Sequence, residues 1–531
     1  MMWRFGLAGL ALLTIGAAPA QDRVDVVIRG GTIYTGADAP PITGDVEIAG
    51  DRIVYVGRTR RTPATRVVDA RGKIVAPGFI DPHTHPDSYI RAADAAKRLN
   101  LPWLAQGVST IVIGVDGGGT PDVAADAAKL QASGIGTNFA SMVGFGAIRS
   151  RVLGQDDRAP DAAELALMRN LAAKAMCEGA TGLSTGLFYA PQSFARTEEV
   201  IAVAREVGLR GGLYDTHQRD ESTYSIGLIA STQEALRIGR EAGMPVHFAH
   251  LKALGVDLHG RAPQLIATIE AARKAGQQVT ADQYPWLASG TSLDAALVPR
   301  WAVDGGYKAM IARFDDPATL TRIRTEMAEN LRRRGGADSI LLTAQSQPWT
   351  GRTLAQMGAT WKLDPVEAAI RILRTPNAAG TGARGVGIAS FNMAERDVDL
   401  IMQQPWVLTA SDGSDGHPRQ YATFPEKYQR YVRGRKVIDM AAFIRRSTGL
   451  TADIYRLAER GYLKPGHYAD VVVFDPVNFA PRADYVNPRT LSVGVEALFV
   501  NGRLALAHGK ATGIAAGRAL LRPRPANCPA S

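Results

Sequence analysis

The sequence predicts an α/β protein, a closed (β/α)8 TIM barrel with a small β-sandwich domain assembled from both chain termini. Through the middle of the chain, short apolar segments alternate with helical patterns, which is typical of parallel βα units. Eight such segments can be counted, the number of strands in this type of barrel. Both ends of the chain are instead rich in short strands separated by glycine-containing turns.

The predicted barrel, residues 72–454, consists of short apolar runs with helical patterns such as Asp161–Cys177 and Thr197–Val207 between them. The gap before the last run is far longer than one helix requires, so we expect an insertion at about residues 287–400. The eight predicted strands are Ile74–Ile80, Val108–Gly114, Asn138–Gly144, Gly179–Thr185, Gly211–Thr216, Pro245–His250, Gln278–Gln283 and Trp406–Ser411.

The strand-rich ends predict the small domain over residues 21–71 and 455–520, with residues 521–531 as a tail. Near the N-terminus we expect a meander of hairpins, because Gly50-Asp51 and Gly57 separate successive runs. The predicted strands are Val24–Ile28, Asp45–Ile48, Arg52–Val56, Thr65–Val68, Ala469–Phe474, Val493–Val500 and Arg503–Leu506.

Residues 1–20 have the pattern of a signal peptide. Arg4 precedes the apolar run Phe5–Ala18, and Ala18-Pro19-Ala20 fits the cleavage rule of small residues. The run is short for a bilayer span, and no later stretch of about 18 apolar residues follows. We therefore expect an exported chain, periplasmic or secreted, without stable membrane insertion after cleavage. An uncleaved anchor is the alternative.

The composition is that of an ordinary globular protein, with 46% hydrophobic and 21% charged residues among 531. The formal charge of +10 comes without a lysine-arginine block, so nucleic acid is not expected as a partner. Two cysteines cannot form a disulfide framework. We expect Cys177 to be a buried helix residue and Cys528 to lie in a disordered tail.

The stretch Gly72 to Asp87, GKIVAPGFIDPHTHPD, carries the clearest chemical signal. Residues two apart in an extended chain point to the same side, so His83 and His85 present two imidazoles in one direction. Neutral imidazole is a common ligand of zinc. Two surface histidines are the alternative interpretation, but the apolar strand directly before the pair favours metal binding.

Active residues of such a barrel gather at the carboxyl ends of its strands. His247 and His250 are three residues apart and face opposite sides of an extended strand, so we expect His250 to face the site and His247 to pack. Asp412 precedes a glycine, which also fits a simple turn, but its position predicts a catalytic carboxylate. The residues expected at this rim are His83, His85, Asp116, Ser184, Thr185, His217, His250, Asp282 and Asp412.

These residues and their surroundings resemble the amidohydrolase superfamily, and more closely its N-acyl-D-amino-acid deacylases (D-aminoacylases). The resemblance extends from Val24 to Gly502, and several blocks in the same order make it specific. They are APGFIDPHTHPD (76–87), GLSTGLFYAP (182–191), YDTHQRDE (214–221), AHLKALG (249–255), DQYPW (282–286) and ASDGSDGHPRQYATFP (410–425).

The resemblance implies a site with one or two zinc ions and a small acylated amino acid as substrate. The family's metal-binding positions match His83, His85, His217, His250 and Asp412. Its substrate-binding positions match Lys252, Tyr284 and Arg419, with Tyr189 and Ser289 as weaker candidates that could be simple pocket walls. Arg419 matches the arginine that holds the substrate carboxylate, a task suited to the paired donors of a guanidinium.

The chain departs from this family at Asp116. The family typically has a cysteine after the second strand, and many superfamily members carry a carboxylated lysine on the fourth, but Gly179–Thr185 contains no lysine. An aspartate can also bridge two cations, although it is a harder ligand than a thiolate. Either Asp116 bridges two metals, or one metal binds to His217 and His250 and Asp116 is a turn residue beside Gly117.

The function expected from the resemblance is metal-dependent hydrolysis of the linear amide of N-acyl amino acids, with the D-configuration implied by the family alone. Two related alternatives are a dipeptidase and a hydrolase of cyclic amides; the lysine missing from the fourth strand argues against the latter. A non-catalytic binding protein of the same fold is a third alternative, which the retained histidines and Asp412 disfavour.

Overall fold

The computed structural model describes residues 23–375 and 386–529, so the predicted signal peptide lies outside the described residues. No helix in these two ranges combines the length and the apolar character needed to cross a membrane. The middle of the chain forms the predicted barrel of eight parallel strands. They are Phe79–Asp81, Val108–Ile113, Asn138–Ser141 with its continuation Val143–Gly144, Gly182–Gly186, Leu213–His217, Val246–Phe248, Val279–Gln283 and Val407–Thr409.

Hydrogen bonds at two places join the strands into a closed ring. The third strand is interrupted at Met142, whose N–H donates to Ile113 O at 2.9 Å, and Thr181 N donates to Ser141 O at 2.8 Å. The last strand returns to the first where Asp412 N donates to His83 O at 2.9 Å. The bond between Asp412 and His83 joins the last strand to the first. It therefore brings the polar residues that follow these two strands together at one rim of the barrel.

The barrel strands are buried on both sides, which explains their continuous apolar character. All six residues of Val108–Ile113 are buried, and Val246 and Phe248 pack with the helices around the barrel. Helix ends are set by local signals. Asp161 and Glu164 form a reciprocal capping box at the start of Ala162–Cys177, with Glu164 N donating to Asp161 Oδ1 at 2.8 Å.

The helices lie mostly around the barrel and in the insertion. The α-helices are Asp87–Ile90, Ala95–Arg98, Leu101–Leu104, Val123–Ser133, Phe145–Leu153, Ala162–Cys177, Thr197–Gly208, Leu228–Ala242, Ala262–Lys274, Leu293–Leu297, Tyr307–Asp315, Pro317–Arg333, Leu354–Trp361, Pro365–Arg374, Glu395–Met402, Arg419–Glu426, Met440–Arg446 and Gly449–Tyr455. Short 3₁₀ turns occur at Gln192–Phe194, Val256–Leu258, Arg300–Val303 and Ala337–Ser339, and Lys427–Gly434 is π-helical.

Both chain ends contribute to one nine-stranded sheet, and residues from the two ends share an apolar core. Two expectations need correction. The predicted first barrel strand is split at Gly78, where Ile74–Pro77 belongs to this sheet; a Cβ at Gly78 would lie 2.4 Å from Ser109 Oγ. The fourth strand pairs parallel to the first rather than continuing the hairpins. The strands are Val24–Ile33, Ile42–Ala49, Arg52–Gly57, Ala64–Asp69, Ile74–Pro77, Val471–Phe474, Val495–Val500, Arg503–Ala507 and Lys510–Ala511.

The predicted insertion contains a small antiparallel sheet and several helices around their own apolar core, built by residues such as Leu297, Ile323 and Ile372. Residues 376–385 of this insertion lie outside the described part of the chain. Its strands are Ala288–Ser292, Ile340–Leu342 and Gly387–Phe391. The first of these strands directly follows the seventh barrel strand, so the insertion begins at the rim of the barrel.

Cys177 lies in a helix as expected, at the end of Ala162–Cys177, but the expectation of a disordered tail around Cys528 was wrong. Cys177 and Cys528 form a disulfide across a sequence separation of 351 residues. The C-terminal segment reaches Cys177 because it runs along the barrel, where Leu520 N donates to Phe139 O at 2.8 Å and Arg522 N to Gly179 O at 3.0 Å. Cysteine count alone could not predict this pairing, since only the folded chain brings the two residues together.

Candidate metal centre

His83 and His85 follow the first barrel strand, and Asp81 fixes the turn that carries them. Its Oδ1 accepts a hydrogen bond from Ser411 N and its Oδ2 one from Trp103 Nε1, each at 2.9 Å. Asp81 is fully buried, and this burial raises the pKa of its carboxyl group to about 7, against the opposing effect of its hydrogen bonds. The carboxyl group therefore ties the first strand to the eighth beneath the two histidines.

Asp116 lies between the imidazoles of the first strand and Asp412. His83 Nε2 is 3.3 Å from Asp116 Oδ1, and His85 Nε2 is 3.4 Å from Asp116 Oδ2 and 3.3 Å from Asp412 Oδ1. Donor atoms of these four residues all lie within 4.8 Å of one another. Two imidazoles and two carboxylates at this spacing form a donor set that suits zinc.

A second donor group shares Asp116. His217 Nδ1 lies 3.0 Å from His250 Nε2, and Asp116 Oδ1 is 3.8 Å and 3.6 Å from these two nitrogens. Their donor atoms also lie within 4.8 Å of one another. The structure thus brings the six predicted metal ligands together as two groups with one common carboxylate.

Three of these six residues have left-handed backbone conformations. The φ angles are 53° for Asp116, 35° for His250 and 48° for Asp412. Such angles are uncommon outside glycine and cluster at functional sites. Each residue lies two or three positions after the end of a barrel strand, so the change of chain direction occurs at the rim where the donor groups gather.

The charged groups of the cluster shift one another's pKa values. Burial alone would raise the pKa of Asp412, but Arg419 and His250, with smaller contributions from His85 and His83, outweigh it and hold that pKa well below its usual range. The pKa of Asp116 is likewise lowered, because the neighbouring histidines outweigh its burial. Both carboxyl groups are therefore ionised at neutral pH, the form that binds cations.

Donors for an anion gather next to Asp412. Arg419 is 2% exposed, and its Nη1 lies 2.6 Å from Asp412 Oδ2. The Tyr284 ring lies between two cations, with its centroid 5.1 Å from Arg419 Cζ and 5.6 Å from Lys252 Nζ. The Tyr284 hydroxyl is buried and has no hydrogen-bond partner among the described residues. Burial raises its pKa far above the usual value, so it remains a donor.

The two weaker substrate-binding candidates, Tyr189 and Ser289, have different surroundings. The Tyr189 ring lies 4.8 Å from the His217 ring, and its hydroxyl is 3.2 Å from Thr291 Oγ1. Ser289 is buried, and its Oγ donates to Asn392 Oδ1 at 3.3 Å. His85 and Asp116 also line a cavity of about 610 Å³.

Two buried acidic residues of the site were not assigned a role by the sequence. Glu221 accepts from Lys252 Nζ at 2.8 Å and lies 3.2 Å from His250 Nδ1. Asp282, expected only at the rim, accepts from His250 N at 2.7 Å and lies 3.0 Å from His247 Nε2. The only sequence signal for Glu221 was its place in the block with His217, four residues earlier, because its partners are distant in the chain.

Comparison with known proteins agrees with this geometry. The amidohydrolase family model matches residues 66–505. The chain is 32% identical to a D-aminoacylase from Alcaligenes xylosoxydans xylosoxydans, over 94% of this chain and 98% of the relative. It is 33% identical to an N-acyl-D-aspartate deacylase of the same organism, over 92% and 93%. A solved N-acyl-D-glutamate deacylase from Bordetella bronchiseptica, complexed with zinc and a phosphonate inhibitor, aligns with a TM-score of 0.79 at 31% identity, over 94% of this chain and all of the other.

The closed barrel and the paired histidine-carboxylate groups at its rim define a metal-dependent barrel hydrolase. The chain belongs to the amidohydrolase family, within its group of D-aminoacylases and N-acyl-D-amino-acid deacylases. D-hydantoinase, at 14% identity and a TM-score of 0.55, shares the fold alone.

Proposed function

We propose that this protein hydrolyses the linear amide bond of N-acyl-D-amino acids and releases a carboxylate and a free amino acid. The observation that carries the proposal is the position of Arg419, which contacts Asp412 on the side away from His85. A carboxylate anchor therefore adjoins a hydrolytic metal centre. The relatives described as deacylases of N-acyl-D-amino acids support the substrate class and its configuration.

The residues present fit zinc. Imidazole nitrogens and ionised carboxylates are its usual ligands, and both nitrogens of the buried His83 lack a hydrogen-bond partner among the described residues. His217 and His250 would hold one ion and His83, His85 and Asp412 a second, with Asp116 between them. When bound, zinc polarises a carbonyl group and makes water more acidic. A related D-aminoacylase has a binuclear metal centre, described as activated by one metal and attenuated by the second.

The chain's own residues supply the remaining steps. Arg419 and the Tyr284 hydroxyl bind the substrate α-carboxylate, and Lys252 adds positive charge beside them. Asp412 accepts a proton from the attacking water, and its carboxyl group then donates this proton to the leaving nitrogen. The acyl group occupies the cavity beside His85 and Asp116, whose lining includes none of the three carboxylate-binding residues.

We also propose that the protein is exported, as the N-terminal pattern predicts. The disulfide between Cys177 and Cys528 supports this, because such bonds persist in oxidising compartments such as the periplasm. Fractionation of cells that express the full chain, with mass measurement of the mature N-terminus, tests the proposal. Full-length protein retained in the cytoplasm would contradict it.

The direct test of the activity uses N-acetyl-D- and N-acetyl-L-amino acids, assayed with and without a chelator. We expect hydrolysis of the D-series, its loss after chelation and its return with zinc. Dipeptides with a C-terminal D-residue are the second candidate substrates, since a peptide is also an acylated amino acid. Hydrolysis of hydantoins in preference to linear amides would overturn the proposal.

A further inference from the structure

We propose that Glu221 is a positioning residue of the metal centre: its carboxylate orients both His217 and His250 and sets which ring nitrogen of each faces the metal. The inference rests on the proposed function, because it takes these two histidines as metal ligands, and it extends that function to a residue outside the donor groups. It is argued from the distances between one buried carboxylate, two imidazoles and one lysine.

The two histidines each have one ring nitrogen toward Asp116 and the other toward Glu221. His217 Nδ1 and His250 Nε2 lie 3.8 Å and 3.6 Å from Asp116 Oδ1. On the opposite sides of the rings, His250 Nδ1 is 3.2 Å from Glu221 Oε1, and His217 Nε2 is 3.8 Å from Glu221 Oε2. One carboxylate group therefore faces both histidines, with one oxygen for each.

This arrangement determines the tautomers of the two imidazoles. A neutral imidazole carries its hydrogen on one nitrogen and a lone pair on the other. A carboxylate accepts hydrogen bonds, so it favours the tautomer with the hydrogen on the nitrogen beside it. The lone pairs then lie on His217 Nδ1 and His250 Nε2, which are 3.0 Å apart. Two lone pairs at this separation repel each other unless a cation lies between them, so Glu221 prepares the pair for a metal ion.

The neighbouring Lys252 makes the carboxylate necessary. Lys252 Nζ is 2.7 Å from His250 Nδ1, and an ammonium group can only donate. If it donated to Nδ1, His250 would carry its hydrogen on Nε2 and could not bind a cation there. Glu221 accepts from Lys252 Nζ with both oxygens, at 2.8 Å and 2.9 Å, and so directs the ammonium donors to itself. The carboxylate thus protects the metal-binding tautomer of His250.

The chain around Glu221 holds its carboxylate in place. Glu221 is buried, and its backbone carbonyl accepts from Leu254 N at 2.9 Å, which joins the loop after the fifth strand to the loop after the sixth. The preceding residue, Asp220, is buried as well, and its carboxylate accepts from backbone N–H groups of its own loop. These donors are Ser222 N at 2.8 Å, Ser225 N at 2.6 Å and Gly227 N at 3.0 Å. A carboxylate held in this way can orient its neighbours.

A purely structural role of Glu221 would be that of counter-ion to Lys252. The two roles make different predictions, because the ion pair can be broken from either side. Loss of the lysine leaves the Glu221 carboxylate beside the imidazoles, whereas loss of the carboxylate leaves Lys252 free to donate to His250. If Glu221 acts on the histidines, only the second change should weaken metal binding.

The test measures zinc binding and not turnover. The full chain is stripped of metal with a chelator and titrated with zinc against a chromophoric competitor, which gives the number of ions and their dissociation constants. We expect Glu221→Gln to weaken one zinc site about 10–100-fold, the usual effect of losing the partner of a metal-binding histidine. Lys252→Met breaks the same ion pair and should leave this dissociation constant within about threefold, well below that effect.

Two further variants serve as controls. Glu199→Gln removes another buried glutamate from an ion pair, with Arg149 at 3.1 Å, and should not change zinc binding. Glu221→Asp keeps the negative charge but withdraws it by one methylene, so we expect a loss of zinc affinity of about threefold or more, smaller than that of Glu221→Gln. Circular dichroism of the metal-free proteins shows which variants are folded. If Glu221→Gln does not fold, the aspartate variant decides.

The outcomes separate this inference from the proposed function. Unchanged zinc affinity in folded Glu221→Gln, or in Glu221→Asp where it decides, overturns the inference. Equal losses in Glu221→Gln and Lys252→Met also overturn it, because the ion pair as a whole would then support the site. Selective loss in Glu221→Gln supports the inference even if no N-acyl-D-amino acid is hydrolysed, a result that overturns the proposed function. An unmodified protein that binds no zinc overturns both.

Discussion

Arg419 Nη1 lies 2.6 Å from Asp412 Oδ2, so the proposed carboxylate anchor and the proposed proton acceptor form a buried ion pair. The other oxygen of Asp412 lies 3.3 Å from His85 Nε2. One carboxyl group therefore connects the metal centre with the anion-binding residues. A change at any of these residues should affect both substrate binding and the chemical step. Measuring KM and kcat separately shows how much of the effect belongs to each.

Asp412→Asn keeps the shape of the side chain and removes its basicity. We expect kcat to fall by about 10²–10⁴, the range that general acid–base groups contribute. Far-ultraviolet circular dichroism should be unchanged. Asp415→Asn, three residues later and exposed on the same loop, is the control. Turnover close to that of the unmodified protein would remove the proton-acceptor role.

Arg419→Lys retains a positive charge but loses the paired donors of a guanidinium. We expect kcat/KM to fall about tenfold or more, mainly through KM, because a single ammonium binds a carboxylate less rigidly. Steady-state kinetics on N-acetyl-D-amino acids measures the effect. Arg489→Lys, which pairs with Asp415 at the surface, serves as control and should be neutral. An unchanged KM for Arg419→Lys would contradict the anchor assignment.

Asp116→Ala removes the carboxylate shared by the two donor groups. We expect the metal content of the purified protein to fall by about one ion per chain, since a bridging ligand contributes to both ions. Asp116→Cys supplies another anionic ligand and should retain more metal than the alanine variant. Elemental analysis measures both. Equal metal content in the unmodified protein and in both variants would show that Asp116 is a turn residue and not a metal ligand.

Lys427→Met should stabilise the protein. Burial, together with Arg446, lowers the pKa of Lys427 to about 7 in the folded state, from an ordinary value of 10.5. Between these pH values the unfolded chain holds a proton that the folded chain lacks, so stability contributed by this site increases from pH 7 towards pH 10. Below pH 7 Lys427 is protonated in both the folded and the unfolded chain, so the full free-energy cost of burying its charge lowers the stability. Calorimetry at several pH values should show a higher Tm for the variant at pH 7 and a smaller advantage at pH 9. An equal or lower Tm at pH 7 would contradict the burial cost.

Cys177→Ser and Cys528→Ser should each lower the Tm by several degrees, since removal of a native disulfide costs about 2–5 kcal/mol. The double variant should lose no more than either single one, because both remove the same bond. Thiol titration of the unfolded, unreduced protein should find no free thiol. Two free thiols would show that the C-terminal segment is held by its hydrogen bonds alone.

The amino-acid sequence by itself determined the barrel, the insertion and the position of the proposed ligands. Apolar runs record burial, and parallel strands always bring their carboxyl ends to one rim, so residues from His83 to Asp412 could be placed together without coordinates. The sequence did not show that Ile74–Pro77 belongs to the nine-stranded sheet and not to the barrel, because a buried strand has the same apolar pattern in both.

Only the tertiary structure decided which charges are paired. Glu221 forms an ion pair with Lys252, Arg419 forms one with Asp412, and Cys177 forms a disulfide with Cys528. These relationships depend on distances of a few ångströms between segments far apart in the chain. Sequence periodicity records whether a residue is buried, but the strength of a charge interaction depends on separation and on the surrounding medium, which exist only in the folded protein.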